Sequence, residues 1–213
     1  GVGYVPRDAQ SVLLERAGYV LEQVERNSAF DLHGSFAAVE RMRERALEKA
    51  GSDYRVVSWT GPTPERHLDS YAYTLSRLAT DAPNGGRDVE EQAWDAGRVR
   101  RRDDRLAAQG MLVSVVAAEH IPSGAIAAYN ELVIGADRSG ATFQYGTLVV
   151  AAHRGRRLGA LVKCEGLLRW RDLVPESPRV TTFNAEENRY MLSINEELGF
   201  VATSHGGAWK KVL

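Results

Sequence analysis

The sequence predicts an α/β (α+β) fold, in which helices flank a mixed, mostly antiparallel central sheet. Three apolar, β-branched segments, 111–120, 125–134 and 141–150, follow one another with only short glycine-containing turns between them. This spacing is typical of hairpins and therefore of antiparallel strands. Helix-like and strand-like segments alternate on both sides of this block. From residue 51 onwards, the predicted order is β-α-α-β-β-β-α-β-α-β-β.

One strand and two helices are predicted ahead of the block. The strand is Tyr54–Thr60, a β-branched and aromatic run that ends at a Gly-Pro pair. Thr63 and Pro64 suit the cap and the first position of a helix. Apolar residues then recur at helical spacing, namely Leu68, Tyr71, Leu75 and Leu78. The segment 81–86 ends this helix, and Asp88 is predicted to cap a second, charge-rich helix.

Two helices and the final strands follow the block. We predict a helix over 157–172, a strand over 179–183, and a helix over 187–198 that ends at Gly199 in the left-handed conformation. The last residues, 200–213, contain a Gly-Gly pair between two strand-like runs. They are predicted to form a closing hairpin.

The first fifty residues lie outside this order. Residues 11–32 are interpreted as a short helix, a glycine cap at Gly18 and a strand. Residues 35–50 predict a helix with an apolar stripe of Phe36, Val39, Met42 and Leu47. We interpret this helix as a connector.

The composition narrows the classes of function. The chain has 213 residues, with 27 basic and 28 acidic side chains, and so has no overall attraction for nucleic acid or an anionic membrane. Cys164 is the single cysteine, which excludes an intramolecular disulfide and a thiolate zinc cluster. No apolar run has the length that crosses a bilayer, and the N-terminus lacks the pattern of a secretion signal. We expect a cytoplasmic protein.

The segment from His153 to Gly159, HRGRRLG, lies between a predicted strand and a predicted helix. The first N–H groups of a helix lack intrahelical partners and coincide with the positive end of the helix dipole, so they favour an anion. Glycines allow a phosphate to approach the backbone, and arginines add charge and forked donors. The alternative is a solvated basic turn. A P-loop is excluded because no Gly-Lys-Ser/Thr follows, and a Rossmann turn is disfavoured because Gly-x-Gly-x-x-Gly is absent.

Two separated motifs, LVVAAHRGRRLGALV and NAEENRYMLSINEELGF, together with the order of elements, resemble the GNAT superfamily of N-acetyltransferases over about residues 51–213. The family's phosphate turn reads Arg/Gln-x-x-Gly-x-Gly/Ala and binds the pyrophosphate of acetyl-CoA. Here the turn runs from Arg154 to Gly159, RGRRLG. The last glycine is kept, but the middle glycine is Arg157. This departure either crowds the backbone or adds a phosphate contact.

The resemblance implies the GNAT fold and acetyl-CoA as co-substrate, with no metal. It places the thioester along the third strand of the block, beside a splay between this strand and 179–183. Backbone groups of Leu148 and Val149 are expected to bond the pantetheine arm. One of Asn184 and Asn188 is expected to cap the following helix, and Asn184 also to touch the cofactor. The implied cofactor-binding residues are Leu148, Val149, Val150, Arg154, Gly155, Arg156, Arg157, Leu158, Gly159, Ala160, Asn184 and Asn188.

Acetylation of an amine needs a base for the amine proton and an acid for the leaving thiolate. Glu131 is the candidate base, because burial within an apolar strand makes a carboxylate a stronger base; the alternative is a Glu on the exposed face of a half-buried sheet. Glu119, one strand earlier, is a second candidate. Many GNAT enzymes carry the acid as a Tyr five residues before the Phe of Gly-Phe. This position is Asn195 here, so either the thiolate is stabilised otherwise or Tyr190 reaches in.

The resemblance also divides the chain into parts. Residues 51–213 are expected to form a complete GNAT acetyltransferase domain, and residues 33–50 a connector helix. Residues 1–32 are similar to the last helix and strands of another GNAT domain, as in long proteins that join two copies. We therefore expect them to be the tail of a preceding GNAT-like domain; the alternative is a docking extension without such a history.

The function expected from the resemblance is an acetyl-CoA-dependent N-acetyltransferase (an acyltransferase), acting by direct attack in a ternary complex. The acceptor is an amine of a small molecule, an amino sugar or a peptide. One alternative is a non-catalytic acyl-CoA-binding sensor or scaffold, favoured by Asn195. A second alternative is nucleic-acid binding through Arg98–Arg105, which the balanced net charge of the chain disfavours. Ion pairs within a solvated helix are the favoured explanation of that segment. Aromatic candidates for the acceptor pocket, or else for the core, are Tyr71, Tyr73, Trp94 and Tyr129. The other expected partners are a missing N-terminal GNAT-like domain or a second copy of the chain. No membrane is expected as a partner.

Overall fold

The computed structural model describes residues 4–81 and 93–211. Within them the strands form one sheet in the order β2-β3-β4-β5-β6-β1-β7. The strands are β1 (Val20–Asp31), β2 (Tyr54–Thr60), β3 (Leu112–His120), β4 (Ala125–Ile134), β5 (Thr142–Val149), β6 (Arg179–Ala185) and β7 (Val201–Lys210). The helices are α1 (Ala9–Arg16), α2 (Ala37–Ala50), α3 (Leu68–Asp81), α4 (Ala96–Ala108), α5 (Leu158–Leu173) and α6 (Arg189–Leu198). The predicted fold class, with helices on a mostly antiparallel sheet, is confirmed.

Strands β2 to β5 form an antiparallel half of the sheet, in which β3, β4 and β5 are joined by the two predicted hairpins. The β4–β5 ladder contains one bulge. Tyr145 is its extra residue, next to the paired Glu131 and Gly146. A bulge bends a strand and redirects its side chains, so β5 changes direction at this point.

Strand β6 runs parallel to β5 and pairs with it at Thr142–Val180 and Phe143–Thr181. No further pairs follow along the described parts of these two strands, although both continue for several residues. The splay expected between these strands is therefore confirmed. It opens a gap in the middle of the sheet, next to the bulge of β5.

Helices cover the two faces of the sheet unequally. Helices α2, α5 and α6 pack on one face, called the α5 face, over a core that includes Trp170 and Leu161. Helices α3 and α4 pack on the other, the α3 face, over β3, β4 and β5. Helix α5 lies close to the sheet at Gly166, where a Cβ would stand 2.5 Å from Oδ1 of Asn130. The sheet and α5 together hold the loop between β5 and α5 in place.

The N-terminal segment contributes a strand to this same sheet. The predicted helix, glycine cap and strand of residues 11–32 are present as α1, Gly18 with a φ of 83°, and β1. Strand β1 pairs antiparallel with β6 on one side and with β7 on the other. Helix α2 packs against α5 and α6. Its buried stripe contains Phe36, Val39 and Met42 as predicted, but Leu47 is exposed and Ala46 and Ala50 take its place in the core.

The prediction of a closing hairpin is wrong. Residues Val201–Lys210 form the single strand β7, in which Gly206 and Gly207 pair with residues of β1. Neither glycine has left-handed backbone. A Cβ on Gly207 would stand 2.8 Å from both Leu21 and Trp209. The glycine therefore makes room for neighbouring side chains rather than for a turn.

The start of the second helix was also predicted wrongly. Helix α4 begins at Ala96, and the Asp95 carboxylate accepts a hydrogen bond from the N–H of Arg98 at 2.6 Å. Asp88 and the segment 82–86, to which the sequence assigned a cap and a loop, lie outside the described residues. Among the helices of residues 4–81 and 93–211, none has the combination of length and apolar character needed to cross a bilayer.

Candidate functional site

The Arg-rich turn connects the end of β5 to the start of α5. Gly155 and Arg157 have left-handed backbone, with φ of 84° and 56°, and reverse the chain within a few residues. A Cβ on Gly159 would stand 3.2 Å from Val149, so the glycine allows α5 to begin against the end of β5. The first bond of the helix joins the N–H of Leu161 to the carbonyl of Arg157 at 3.0 Å. The N–H groups of 158–160 therefore have no partner within the helix.

A cavity of about 380 Å³, called the turn cavity, lies at this helix end. Its walls come from the end of β5, the turn, the first residues of α5 and the start of α6. Most of the cofactor-binding residues implied by the sequence line it: Leu148, Val149, Arg154, Gly155, Arg157, Leu158, Gly159 and Asn188. An anion here would meet two guanidinium groups and the positive end of the α5 dipole.

Four of the implied residues lie elsewhere. Val150 is buried and donates its N–H to the carbonyl of Ala127 at 2.9 Å. Ala160 lies in the core on the α5 face, although its N–H belongs to the first turn of the helix. Arg156 extends over the ring of Tyr54, 6.0 Å from its centroid. Asn184 lines the neighbouring cavity instead.

A second cavity of about 210 Å³, called the splay cavity, occupies the gap between β5 and β6. It shares Thr147, Asn188 and Met191 with the turn cavity, so the two cavities adjoin each other. The bulge residues Tyr145 and Gly146 are part of its lining. Because β5 and β6 no longer pair here, the facing backbone edge of β5 is available to a ligand in the gap.

The two asparagines after β6 have different contacts. Asn188 caps α6, because its Oδ1 accepts a hydrogen bond from the N–H of Met191 at 3.2 Å. Asn184 lines the splay cavity, and its Oδ1 accepts a hydrogen bond from Nδ2 of Asn195 at 2.8 Å. The prediction that one of them caps the helix is confirmed for Asn188.

His153 is held against the sheet rather than aimed at the turn cavity. Its Nδ1 lies 2.9 Å from the hydroxyl of Tyr54, and its ring centroid lies 4.9 Å from that of His120. Burial lowers the pKa of His153, and nearby His120 and Arg156 lower it further. The ring is therefore neutral near pH 7, and the positive charge of the turn comes from its arginines.

Glu131, the candidate base, is 1% exposed and faces α3 and α4. The alternative that it faces solvent is wrong. Its Oε2 accepts a hydrogen bond from the Tyr71 hydroxyl at 2.6 Å, and its Oε1 is paired with the guanidinium of Arg102. Burial by itself lowers the pKa of Arg102, but the Glu131 carboxylate raises it more, and the net pKa is above its ordinary value. Both carboxylate oxygens are thus engaged within the protein.

This buried cluster also contains polar atoms without a partner. The hydroxyl of Tyr129 and Nη1 of Arg102 are buried and make no hydrogen bond in the described part of the chain. Burial, followed by the charge of Glu131, raises the pKa of both Tyr129 and Tyr71, so both phenols stay protonated. The Tyr129 hydroxyl lies 2.9 Å from where a Cβ of Gly146 would stand, and Gly146 lines the splay cavity. The cluster therefore lies directly behind that cavity.

The remaining candidates lie at different depths. Asn195 is 1% exposed; it bonds Asn184, and its own Oδ1 is buried without a partner among the described residues. Tyr190 is 61% exposed and lines the turn cavity, not the splay cavity. Glu119 is paired with Arg55 at the β2–β3 edge, with an Nε–Oε1 distance of 2.9 Å. None of these three side chains lines the splay cavity among the residues that the structure describes.

Of the aromatic candidates, Tyr71 and Tyr129 belong to the core on the α3 face, Trp94 packs against it, and Tyr73 is 55% exposed. The arginines of 98–105 that have defined contacts bind other parts of the protein. Arg100 pairs with Glu65 and Arg102 with Glu131. The interpretation of this segment as a helix with ion pairs therefore agrees with its contacts.

Several residues around the gap were not predicted from the sequence. Tyr145 reaches it because of the bulge, and Glu25 because β1 lies next to β6. Gln144 lines the splay cavity and bridges two elements: its Oε1 accepts from Nζ of Lys163 at 2.7 Å, and its Nε2 donates to Thr182 at 3.1 Å. The signal available in the sequence for this bridge was Lys163, a basic residue among apolar neighbours in the predicted helix. In residues 4–81 and 93–211, no three His, Cys, Asp or Glu side chains are grouped as a metal site.

No family model matches this sequence, and no curated protein matches it. Solved structures match it along nearly the whole chain. A tandem GNAT protein from the clavulanic acid biosynthesis pathway, determined without AcCoA, has a TM-score of 0.69 at 22% identity, over 97% of this chain and 59% of its own. A GCN5-related N-acetyltransferase from Sphaerobacter thermophilus has a TM-score of 0.60 at 17% identity, over 94% of this chain and 55% of its own.

A shorter structure matches over its entire length. It is AAC(6')-Iy in complex with the bisubstrate analogue CoA-S-monomethyl-acetylneamine, with a TM-score of 0.52 at 15% identity, over 76% of this chain and 100% of its own. These likenesses show the fold: the chain has the GNAT fold, here with β1 between β6 and β7. The chain spans less than two thirds of the length of the tandem protein and of the Sphaerobacter protein.

Proposed function

We propose that this protein is an acetyl-CoA-dependent N-acetyltransferase that transfers an acetyl group to the amine of a small molecule or peptide by direct attack in a ternary complex. The observation that carries the proposal is that the turn cavity and the splay cavity adjoin each other and share lining residues. One end offers helix N–H groups and arginines, and the other opens beside an unpaired strand edge. This combination suits a ligand with a diphosphate at one end and an extended amide-containing arm.

The diphosphate would lie against the N–H groups of Leu158, Gly159 and Ala160, with Arg154 and Arg157 at its sides. The pantetheine arm would follow Leu148 and Val149 along the edge of β5 that no longer pairs with β6. Such an arm adds peptide-like donors and acceptors beside a strand, which is how extended ligands bind open sheet edges. Its thioester end would then reach the bulge.

The transfer would take place in the splay cavity. The amine nitrogen attacks the thioester carbonyl carbon, the C–S bond breaks, the amine loses a proton and the CoA thiolate gains one. Tyr145 lines this cavity and is our candidate for protonating the thiolate. Tyr190 lines the other cavity, and reaching the thiolate would require it to turn inward. Asn195 would act as a positioning residue, because it holds Asn184 at the cavity wall.

Glu131 is our candidate for receiving the amine proton, by way of Tyr71 or a water molecule, because its carboxylate lies behind Gly146 in the cluster next to the splay cavity. Proton transfer over one intermediate is within the ordinary reach of general bases. We also propose that the protein is cytoplasmic and that residues 1–32 are the tail of a preceding GNAT-like domain, since the chain matches part of a tandem GNAT protein.

Calorimetric titration with acetyl-CoA tests the binding half of the proposal. Arg154→Glu places a carboxylate in the turn cavity and is expected to weaken binding at least tenfold through charge repulsion with the diphosphate. Arg105→Glu makes the same charge change at an exposed position on α4, on the other face of the sheet, and is the matched control. Equal binding by both variants would contradict the assignment of the turn.

Release of the CoA thiol across a panel of primary amines tests the catalytic half. Cys164 is buried, and burial raises the pKa of its thiol to about 12, so its reaction with a thiol reagent is slow. Tight binding of acetyl-CoA without amine-dependent thiol release would favour the second candidate, a non-catalytic acyl-CoA sensor or scaffold. The observation behind that candidate is Asn195, which lies where many enzymes of this fold carry a Tyr.

A further inference from the structure

In residues 4–81 and 93–211, no helix packs over part of the α3 face. Helices α3 and α4 pack on this face over β3, β4 and β5, whereas β6, β1 and β7 lie beyond them in the sheet. The described residues include three large aromatic side chains here: Phe143 and Tyr145 of β5 and Phe183 of β6, which are 52%, 46% and 61% exposed. Neighbouring exposed aromatic residues are a common mark of a binding site.

These three rings line a third cavity, of about 510 Å³, called the aromatic cavity. It shares four residues with the splay cavity, namely Gln144, Tyr145, Thr182 and Phe183. The turn, splay and aromatic cavities thus lie next to one another in that order. A molecule in the aromatic cavity would lie next to the place where the acetyl group is proposed to be transferred.

The charges at the two ends of this path differ. The turn cavity is lined by two arginines. Among the described residues that line the splay and aromatic cavities, none is Lys or Arg, and Glu25 contributes a carboxylate to the splay cavity. Among the described lining residues of the three cavities, basic side chains are therefore confined to the end that favours phosphate.

Several polar side chains of the aromatic cavity form hydrogen bonds within the protein. Thr181 donates its hydroxyl to the carbonyl of Thr142 at 3.0 Å, and Thr203 donates to the carbonyl of Asn27 at 3.2 Å. The Asn27 amide in turn donates to the Ser204 hydroxyl at 3.0 Å. Three aromatic rings are thus a large part of the cavity lining, which favours an apolar group over a sugar.

We propose that the acceptor is a primary amine carrying an aromatic or similarly large apolar group, which lies in the aromatic cavity while the amine occupies the splay cavity. This inference rests on the proposed acetyltransferase function and names the substrate class of that site. Offset or edge contacts with Phe143, Tyr145 and Phe183 bind the aromatic group. The volume of about 510 Å³ is in the range of small-molecule sites.

The test compares phenethylamine with ethylamine at saturating acetyl-CoA. We expect kcat/KM for phenethylamine to be at least about tenfold higher, since each apolar group that fills a pocket contributes about tenfold or more. Phe183→Thr keeps a good strand residue on the open face and is expected to remove most of this preference; because Phe183 also lines the splay cavity, the Kd of acetyl-CoA is measured for the same variant. Val201→Thr changes an exposed apolar residue of β7 that does not line the cavity, and is expected to change neither value.

Equal kcat/KM for the two amines in the wild-type protein, with normal acetyl-CoA binding, would overturn the inference while the proposed function stands. A measurement independent of turnover is saturation-transfer NMR of phenethylamine with the protein. A ring signal that Phe183→Thr abolishes and Val201→Thr preserves supports the aromatic cavity even if no amine is acetylated, in which case only the proposed function fails. Absence of that signal overturns the inference. Self-association, measured by sedimentation, also overturns it if Phe183→Thr abolishes the self-association and leaves the preference between the two amines unchanged.

Discussion

Arg157 is the one non-glycine residue with left-handed backbone in the described parts of the chain. It stands at the position where the phosphate turn of the resembling family has glycine, and the φ of 56° explains why glycine suits that position. A side chain there costs about 1–2 kcal/mol. Arg157 also holds the N-cap position of α5 without capping it through its side chain. The helix N–H groups are therefore left for a ligand instead of being satisfied by a cap.

Replacing Arg157 by Gly and by Ala separates the backbone from the guanidinium. Both changes remove the charge and are expected to weaken acetyl-CoA binding equally. The Ala variant keeps the strain of a side chain in the left-handed conformation, and glycine relieves it. Glycine also increases the entropy of the unfolded chain, which offsets part of this gain. The Gly variant is therefore expected to be more stable than the Ala variant by about 1 kcal/mol. Urea unfolding measures this difference. Equal stability of the two variants would show that the backbone at this residue is not strained in solution.

Individual residues show which parts of the candidate site could be predicted from the sequence. The turn residues were predictable because a helix end, glycines and arginines have local physical properties. Glu131 was singled out as a charge in an apolar strand, but strand alternation left open whether its face of the sheet was covered. Its partners Tyr71 and Arg102 were not predictable, because they come from two helices whose packing is tertiary. Tyr145 was missed because a bulge has no local signature here.

At the scale of elements, Lys163 links α5 to the strands around the splay. Its ammonium group bonds Gln144 of β5, which bonds Thr182 of β6 immediately after the last β5–β6 pair. The side-chain bridge takes the place of the next backbone pair and fixes where the strands begin to diverge. Lys163 is 1% exposed and lies 5.1 Å above the ring of Phe200. Burial lowers the pKa of Lys163 to about 7.

This pKa makes the stability of the protein depend on pH. In the unfolded chain the lysine stays protonated up to its ordinary pKa, whereas in the native state it loses its proton above about pH 7. Between these values the unfolded state binds one more proton, so the free energy of unfolding rises with pH, by up to about 1.4 kcal/mol per pH unit. We expect the rise from pH 7 to pH 9 to be smaller in Lys163→Met, measured by urea unfolding.

Lys49→Met is the matched control for this experiment, because Lys49 is exposed on α2. It should keep the wild-type pH dependence. A Lys163→Met variant with the same rise as the wild-type protein would mean that the lysine keeps its proton when buried. In that case the bridge to Gln144 is a charged one.

Most elements were predicted within a few residues because their apolar period is local. The strands of the β3–β5 block and helices α3, α5 and α6 follow directly from that period and from turn residues. The errors occurred where a distant partner decides the structure. The Gly206-Gly207 pair was interpreted as a turn, but β1 holds it extended. The place of β1 in the sheet was not predictable, since no local feature specifies which strands accept it.

The molecule as a whole combines two kinds of strand pairing. Strands β3, β4 and β5 pair through local hairpins, whereas β6, β1 and β7 are joined only by pairing between the two ends of the chain. Arg26 of β1 is buried in this half and binds Glu186, with an Nε–Oε1 distance of 2.6 Å. The site lies at the border of the halves, because the splay separates β5 from β6. Its wall at Glu25 therefore depends on the N-terminal strand.

Deleting residues 1–33 tests how far the sheet depends on β1. The deletion removes the strand with which β7 pairs along most of its length. It leaves the buried Glu186 without its ion pair to Arg26, and it removes Phe30 and Leu32 from the core. Two buried apolar side chains alone contribute about 1.5–3 kcal/mol each, against a total stability of about 5–15 kcal/mol. We expect the variant to lose its cooperative urea transition, followed by circular dichroism.

Deleting residues 1–17 is the control for that experiment. It removes α1, of which Ser11 is the buried residue, and leaves β1 in place, so the urea midpoint should stay close to that of the full chain. If the chain without residues 1–33 unfolded cooperatively at the same midpoint, residues 51–213 would be a complete domain, as the sequence predicted, and β1 an addition to it. A lost transition in the longer deletion alone would instead make β1 part of the folding unit and tie the acceptor side of the site to the N-terminal segment.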